Sequence, residues 1–233
     1  LSDRILKIKI VLRHELLEIL ASQIAEVTTA HPTRVAIDGP DAAGKTTLAD
    51  ELAIPIGTSG RAVIRASIDG FHNPESIRYQ RGRLSPEGYY FDSFNHESLI
   101  TLLLSPLGPQ GSREYRQATF DYRTDLETQR PFQIAQATSV LLFDGVFLLR
   151  PELADFWDFA IFLDVGFKVT LARAKQRDAI AFGGVDTVTH RYEQRYIPGQ
   201  KLYFDLCRPR DRANIVVDNN IPSAPTVVLN DTL

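Results

Sequence analysis

The sequence predicts an α/β fold in which a mostly parallel sheet is flanked by helices. Two observations carry this expectation. Short β-branched or apolar runs alternate with helix-periodic segments along the chain. The first such strand and helix are joined directly by a glycine-bounded turn, Gly39 to Gly44. In order, Leu12, Leu16, Leu20, Ile24 and Val27 step by three or four, which makes an amphipathic helix that ends before His31-Pro32. Residues 33–38 form a strand and TTLADELA a helix, followed by a second strand over 62–68 and a helix over 97–104. The third and fourth strands are 140–143 and 160–165. A helix over 168–180 comes next, then mixed helical signal over 187–206 interrupted at Pro198-Gly199, and a last buried strand over 213–217.

Between the second and third strands, residues 71–139 are rich in Tyr, Arg, Pro and Gly and show one clear helix; the part from Arg113 to Tyr122 alternates like an extended segment or hairpin. A connection of that length is usually functional. Phe156 and Trp157 read as core packing beside the fourth strand. The 233 residues, 44% hydrophobic and 24% charged, suffice for the core of one globular domain. No apolar run approaches the length of a membrane span, so no membrane partner is expected. Charges recur through LSDRILKIKIVLRHELLEIL, which argues against a secretory leader. Cys207 is the single cysteine, so neither an intramolecular disulfide nor a cysteine zinc site is expected, and a cytoplasmic address is favoured. A net charge of −3 gives no footprint of a nucleic-acid binder.

The segment Gly39-Pro40-Asp41-Ala42-Ala43-Gly44-Lys45-Thr46 has the spacing G-x-x-x-x-G-K-[ST], with Thr47 after it. Glycines let the backbone curl its N–H groups toward phosphate oxygens, and the helix start adds its positive dipole end. Lys45 is then the residue for the β- and γ-phosphates, and Thr46 for Mg²⁺. Asp144 ends an apolar strand at the sheet edge where ligands of open α/β sheets bind, and is a second candidate for the metal. Asp69 also ends a strand; if that strand neighbours the loop strand, the acid is placed to take a proton from an attacking hydroxyl. The alternatives for these acids are ordinary turn aspartates.

Taken in order, the phosphate loop, SIDGFHNP, GYYFDSFNHESL, TFDYRT, LLFDGVFLL and IFLDVGFKVTLARAKQRD resemble the uridine kinase, phosphoribulokinase and pantothenate kinase group of P-loop kinases, from about Val35 to Asp218. The resemblance implies a P-loop nucleoside triphosphate hydrolase type of fold, with a kinase domain over 33–233 and a lid at about 178–200; residues 1–32, outside the resemblance, are expected to be a helical segment packed on that domain. It implies that Asp69 is the general base, that Phe91 and Asp92 lie against the substrate, and that Phe120, Asp121 and Tyr122 belong to the acceptor pocket. Asp144 stands where the group has a glutamate. Arg177 begins the lid, and its helix neighbour Arg173 shares its face, both suited to phosphoryl charge. Arg191 and Arg195 repeat that spacing.

Two departures accompany the likeness. The pyrimidine-reading histidine of uridine kinases would fall among Arg123, Thr124 and Asp125, and a lid arginine is replaced by Gly183-Gly184. Arg78, Arg81 and Arg83 form a basic stretch able to fork onto a phosphate or carboxylate of a substrate; a solvated loop is the alternative reading, and His72 reads as a hydrogen-bonded loop histidine. The expected activity is ATP- and Mg²⁺-dependent transfer to a hydroxyl of a small metabolite, uridine kinase-like, with a sugar, pantothenate or other non-nucleoside acceptor as alternative. A nucleotide-hydrolysing switch is a second class. A guanine-specific GTPase is disfavoured, since Val217-Asp218-Asn219-Asn220 does not fit the Asn-Lys-x-Asp signature. Self-association as a homo-oligomer is left open.

Overall fold

The computed structural model describes residues 7–229, so 1–6 of the expected N-terminal segment and 230–233 lie outside it. Its strands are β1 (Lys7–Ile10), β2 (Thr33–Asp38), β3 (Val63–Ser67), β4 (Val140–Asp144), β5 (Phe159–Asp164), β6 (Ile215–Asp218) and β7 (Thr226–Leu229), in one sheet ordered β1-β7-β6-β5-β2-β4-β3. Pairs from β6 to β3 are parallel, and the β1–β7–β6 edge is antiparallel. That edge went unforeseen because its two outer strands are short, and β1 alternates Lys with Ile, with Lys9 and Ile10 exposed.

β2 is buried along its whole length, which is why its middle, Val35-Ala36-Ile37, reads as an unbroken apolar run rather than an alternating one. On one face, Val35, Ile37, Leu142, Ile161 and Leu163 pack under α1 (Arg13–Glu26) and α2 (Lys45–Thr58). On the other, Leu141, Phe143, Phe162 and Val216 pack under α3 (Pro86–Asp92), residues 99–107 and a helix over Ile197–Cys207. In α1 the buried residues are Leu16, Leu20 and Ile24, as the spacing requires; Leu12 becomes the exposed cap, its N–H donating to Glu15 Oε2 at 2.8 Å.

Among the described residues the remaining helices longer than a single turn are α4 (Phe167–Phe182), α5 (Val185–Arg191) and α6 (Ile197–Cys207). The interruption expected at Pro198-Gly199 is absent. A π turn over Tyr192–Tyr196 widens the helix just before the proline, which sits in the first turn of α6 where its missing N–H costs little. Gly199 is required by close approach: a Cβ there would lie 2.9 Å from both the Pro86 carbonyl oxygen and the Tyr89 ring. Within 71–139 the structure adds α3, whose signal was Ser85-Pro86, the serine hydroxyl accepting from Gly88 N–H at 3.0 Å. The extended segment is two small ladders, 114–115 with 133–134 and 120–121 with 126–127. Among the described residues, no helix is long and apolar enough to cross a membrane.

Candidate active site

The turn between β2 and α2 opens from the central strand at the carboxyl edge of the sheet. Gly39 (φ 148°), Ala42 (φ 57°) and Gly44 (φ 94°) take positive φ, the alternation that gathers successive N–H groups into an anion-binding nest. A Cβ on Gly39 would meet the Leu163 carbonyl oxygen at 2.6 Å. Gly39→Ala therefore combines backbone strain with overpacking, together about 2–5 kcal/mol. We expect its Tm to fall by roughly 5 °C or more in a thermal melt; an unchanged Tm would mean that the turn is not held in this form.

Five residues distant in sequence, Gln200, Tyr89, Tyr203, Asn219 and Arg173, fix the loop. Asp41 N–H donates to Gln200 Oε1 at 2.8 Å, while Asp41 Oδ2 accepts from Tyr89 Oη at 2.7 Å and Gln200 Nε2 at 3.2 Å. Asp38, fully buried, accepts from Gly39 N–H at 2.7 Å and from the Tyr203 hydroxyl, which in turn accepts from Leu149 N–H at 2.9 Å. Burial pushes the Asp38 carboxyl up to about 6, against the pull of these hydrogen bonds and of Lys45. Asn219 and Arg173 tie the loop to the end of β6: Asn219 Nδ2 donates to the Ala43 carbonyl at 2.8 Å, and Arg173 to the carbonyls of Ala43, Asn219 and Asn220.

The loop forms one end of a cleft of about 1170 Å³. Of the residues expected at the site, Asp41, Ala42, Gly44, Lys45, Thr46, Thr47, Asp69, Tyr122, Asp144, Arg173 and Arg177 line it. Lys45 Nζ donates to the Pro40 carbonyl at 2.7 Å; burial lowers its pKa, opposed by the carboxylates of Asp41, Asp38, Asp144 and Asp69. Thr46 Oγ1 donates to Asp144 Oδ2 at 2.7 Å, and Ser67 Oγ reaches the same oxygen at 3.4 Å. Asp144 Oδ1 accepts from Arg65 at 3.0 Å, a partner the sequence reading passed over inside a β-branched run. This all-oxygen grouping of threonine hydroxyl and carboxylate suits a hard divalent cation such as Mg²⁺.

Asp69 reaches the cleft by another route than expected. β3 does not neighbour β2; β4 lies between them. A 3-10 turn over Ile68–Phe71, started by Ser67, brings Asp69 back toward the loop. The residue is open to solvent but deep between the walls. Desolvation, then the charges of Asp41 and Asp144, push its carboxyl up to about 6. His72 sits beside it, Nδ1 at 3.0 Å from the Asp69 carbonyl oxygen, its ring against Phe94 and Tyr122, and burial holds its pKa down at about 4.

The remaining expected residues fall elsewhere. Gly39 and Ala43 back the loop from behind, Ala43 fully buried. Phe91 does not line the cleft: α3 turns Tyr89 and Tyr90 inward and leaves Phe91 47% exposed under the Arg81 guanidinium. Asp92 is buried in an ion pair with Arg81 at 2.8 Å, Phe120 is buried, and Arg83 pairs with Glu75 at 3.1 Å over Tyr79. None of these five lines the cleft; the basic residues that do include Arg78 and Arg195. Arg177 is held by Asp178 at 2.6 Å, and Arg195 by the carbonyls of Arg78, Gly82 and Ser85.

A central parallel strand, a nest of amides running into a helix, and Lys45 and Thr46 facing a strand-end acid define a P-loop kinase fold. The model of the phosphoribulokinase/uridine kinase family matches residues 35–224, and the chain belongs to that family. Its fold is similar to that of a possible uridine kinase from Bacillus stearothermophilus, with TM-score 0.70 and 23% identity over 87% of this chain and 97% of that one. It is similar to a candidate kinase of a fructose transport system from Silicibacter sp. TM1040, with TM-score 0.69 and 23% identity over 82% and 95%. A D-glycerate 3-kinase from Cryptococcus neoformans gives TM-score 0.56 and 12% identity over 89% and 95%. A comparison with curated proteins finds no match.

Proposed function

We propose that this kinase transfers the γ-phosphoryl group of ATP to a hydroxyl of a small metabolite bound between Asp69 and the hairpin turn at Tyr122. The observation that carries the reading is the placement of two chemistries in one cleft: Lys45 and Thr46 with Asp144 at one end, and Asp69, held near neutrality, beside them. In this reading the nest and Lys45 bind the triphosphate. Thr46 and Asp144 hold Mg²⁺, which when bound draws charge from the phosphate oxygens. Asp69 accepts the proton of the attacking hydroxyl. Arg177, 60% exposed at the cleft wall, closes on the phosphates with the segment over 178–200.

A non-nucleoside acceptor is favoured over uridine by one feature. At the place of the pyrimidine-reading histidine, Asp125 is already engaged, by Arg78 at 2.7 Å and by Glu75 N–H. ADP release measured over nucleosides, sugars and hydroxy acids tests the function; stimulation by a hydroxyl compound is expected, and slow hydrolysis indifferent to all of them would favour a switch. The pH dependence is specific. A base whose pKa is raised is lost as pH falls through that value, so kcat/KM should drop tenfold per unit below about 6. A profile flat from roughly pH 5 to 8 would remove Asp69 from the role.

A further inference from the structure

We propose that the acceptor half of the cleft takes a small hydroxylated anion, a carboxylate or a phosphate ester, whose negative group docks on the Arg78 guanidinium. The hydroxyl's fate rests on the phosphotransfer reading above; the anion site does not. Arg78 lines the cleft, yet the residue is 7% exposed, and its Nε is buried without an acceptor. The other buried side-chain nitrogens in that condition among the described residues, His96 Nε2 and Arg116 Nε, belong to residues outside the cleft. A charged donor left unmet is costly, and an incoming anion can satisfy the fork that Asp125 only half fills.

The surroundings hold that fork in place. Arg78 Nη2 donates to Asp125 Oδ1 at 2.7 Å, and the Arg78 carbonyl accepts from Arg195 at 3.2 Å. Asp125 is itself shared, since its two oxygens also accept Glu75 N–H at 3.0 and 3.2 Å, so it does not neutralise Arg78 alone. Of the other arginines that line the cleft, Arg195 and Arg173 donate to backbone carbonyls and Arg177 pairs with Asp178, while Arg123 and Arg191 lie over the Tyr122 and Phe182 rings with none of Arg78's burial. Arg81 pairs with Asp92, and Arg83 with Glu75. His72, packed between the tilted rings of Phe94 and Tyr122 and kept uncharged by burial, supplies an aromatic wall. It also joins the two ends of the acceptor site, its ring touching the Asp69 backbone and feeling the charge of Arg78. A neutral acceptor would leave the guanidinium unmet, which is how a buried polar group rejects a ligand lacking its partner.

The test uses matched probes that differ in one charged group: glycerol against glycerate for the carboxylate, fructose against fructose 6-phosphate for the phosphate. Calorimetric binding to the full chain is measured beside ADP release. We expect one anionic probe to bind and its neutral partner not to. Arg78→Ala should weaken that binding about 10- to 100-fold and raise KM far more than it lowers kcat. Arg78→Lys, which keeps the charge and the pair with Asp125, should recover part of the affinity, and ATP affinity measured on each variant reports that it has folded. Arg78-dependent anion binding with no ADP release would uphold the subsite and overturn the phosphotransfer reading. Equal binding of neutral and anionic probes, no binding of either anion, or affinity indifferent to Arg78 would overturn the subsite.

Discussion

Lys45→Ala should leave a folded protein that no longer supports ATP-dependent phosphorylation, with turnover down by roughly a thousandfold. The size follows from what the side chain is placed to do. Donors aimed at developing phosphoryl charge in a site of low polarity are worth about 2.7–4 kcal/mol each, and Lys45 is 8% exposed, at the start of α2, with the carboxylates of Asp41, Asp38, Asp144 and Asp69 acting on it. The fold should tolerate the change. The one hydrogen bond lost is to the Pro40 carbonyl at 2.7 Å, and removing a buried ammonium also removes its desolvation cost. A coupled ADP-release assay beside a thermal melt checks both halves; normal turnover would refute the role, and loss of the melt would make the lysine structural.

Asp69→Asn should lower kcat by roughly 10²- to 10⁴-fold while ATP still binds. Asparagine keeps the shape and leaves the backbone contacts with Ser67 and His72 in place. It removes a negative charge that Asp41 and Asp144 already disfavour, so stability should hold or rise slightly. What is lost is the basic carboxylate oxygen that takes the hydroxyl proton; an amide oxygen accepts a hydrogen bond but is too weak a base to take the proton. Nucleotide affinity and single-turnover transfer, measured on the same preparation, separate the outcomes: parallel loss of both would place Asp69 among the structural supports of the loop instead of at the reaction.

What the chain disclosed in advance depended on how local each signal was. β2, the glycine loop and α2 were legible because strand, turn and helix follow within 26 residues, 33–58, and the loop chemistry lies in the residues themselves. Asp144 was legible because four apolar residues carry an acid to the sheet edge. Asp38 was read as the end of a strand and nothing more, since its partner Tyr203 is 165 residues away. Tyr89 and Gln200 hold Asp41 across 48 and 159 residues, and no periodicity reports such a contact. Phe91 falls outside the cleft for a different reason. Resemblance placed it by sequence position, whereas helix phase decides direction, and α3 spends its inward positions on Tyr89 and Tyr90. The antiparallel edge of β1 and β7 was missed because a four-residue alternation with lysines looks like surface until its pairing is seen.

The proposed phosphotransfer requires the amides of residues 39–46 to enclose the terminal phosphates of ATP within reach of Asp69. A crystal structure of the full chain with magnesium and a non-hydrolysable ATP analogue tests it most directly. We expect β- and γ-phosphate oxygens within hydrogen-bond distance of the loop N–H groups and of Lys45 Nζ, with the Asp69 carboxylate on the acceptor side of the γ-phosphate. A nucleotide bound elsewhere with the loop closed, or an Asp69 walled off from the γ-phosphate, would contradict it.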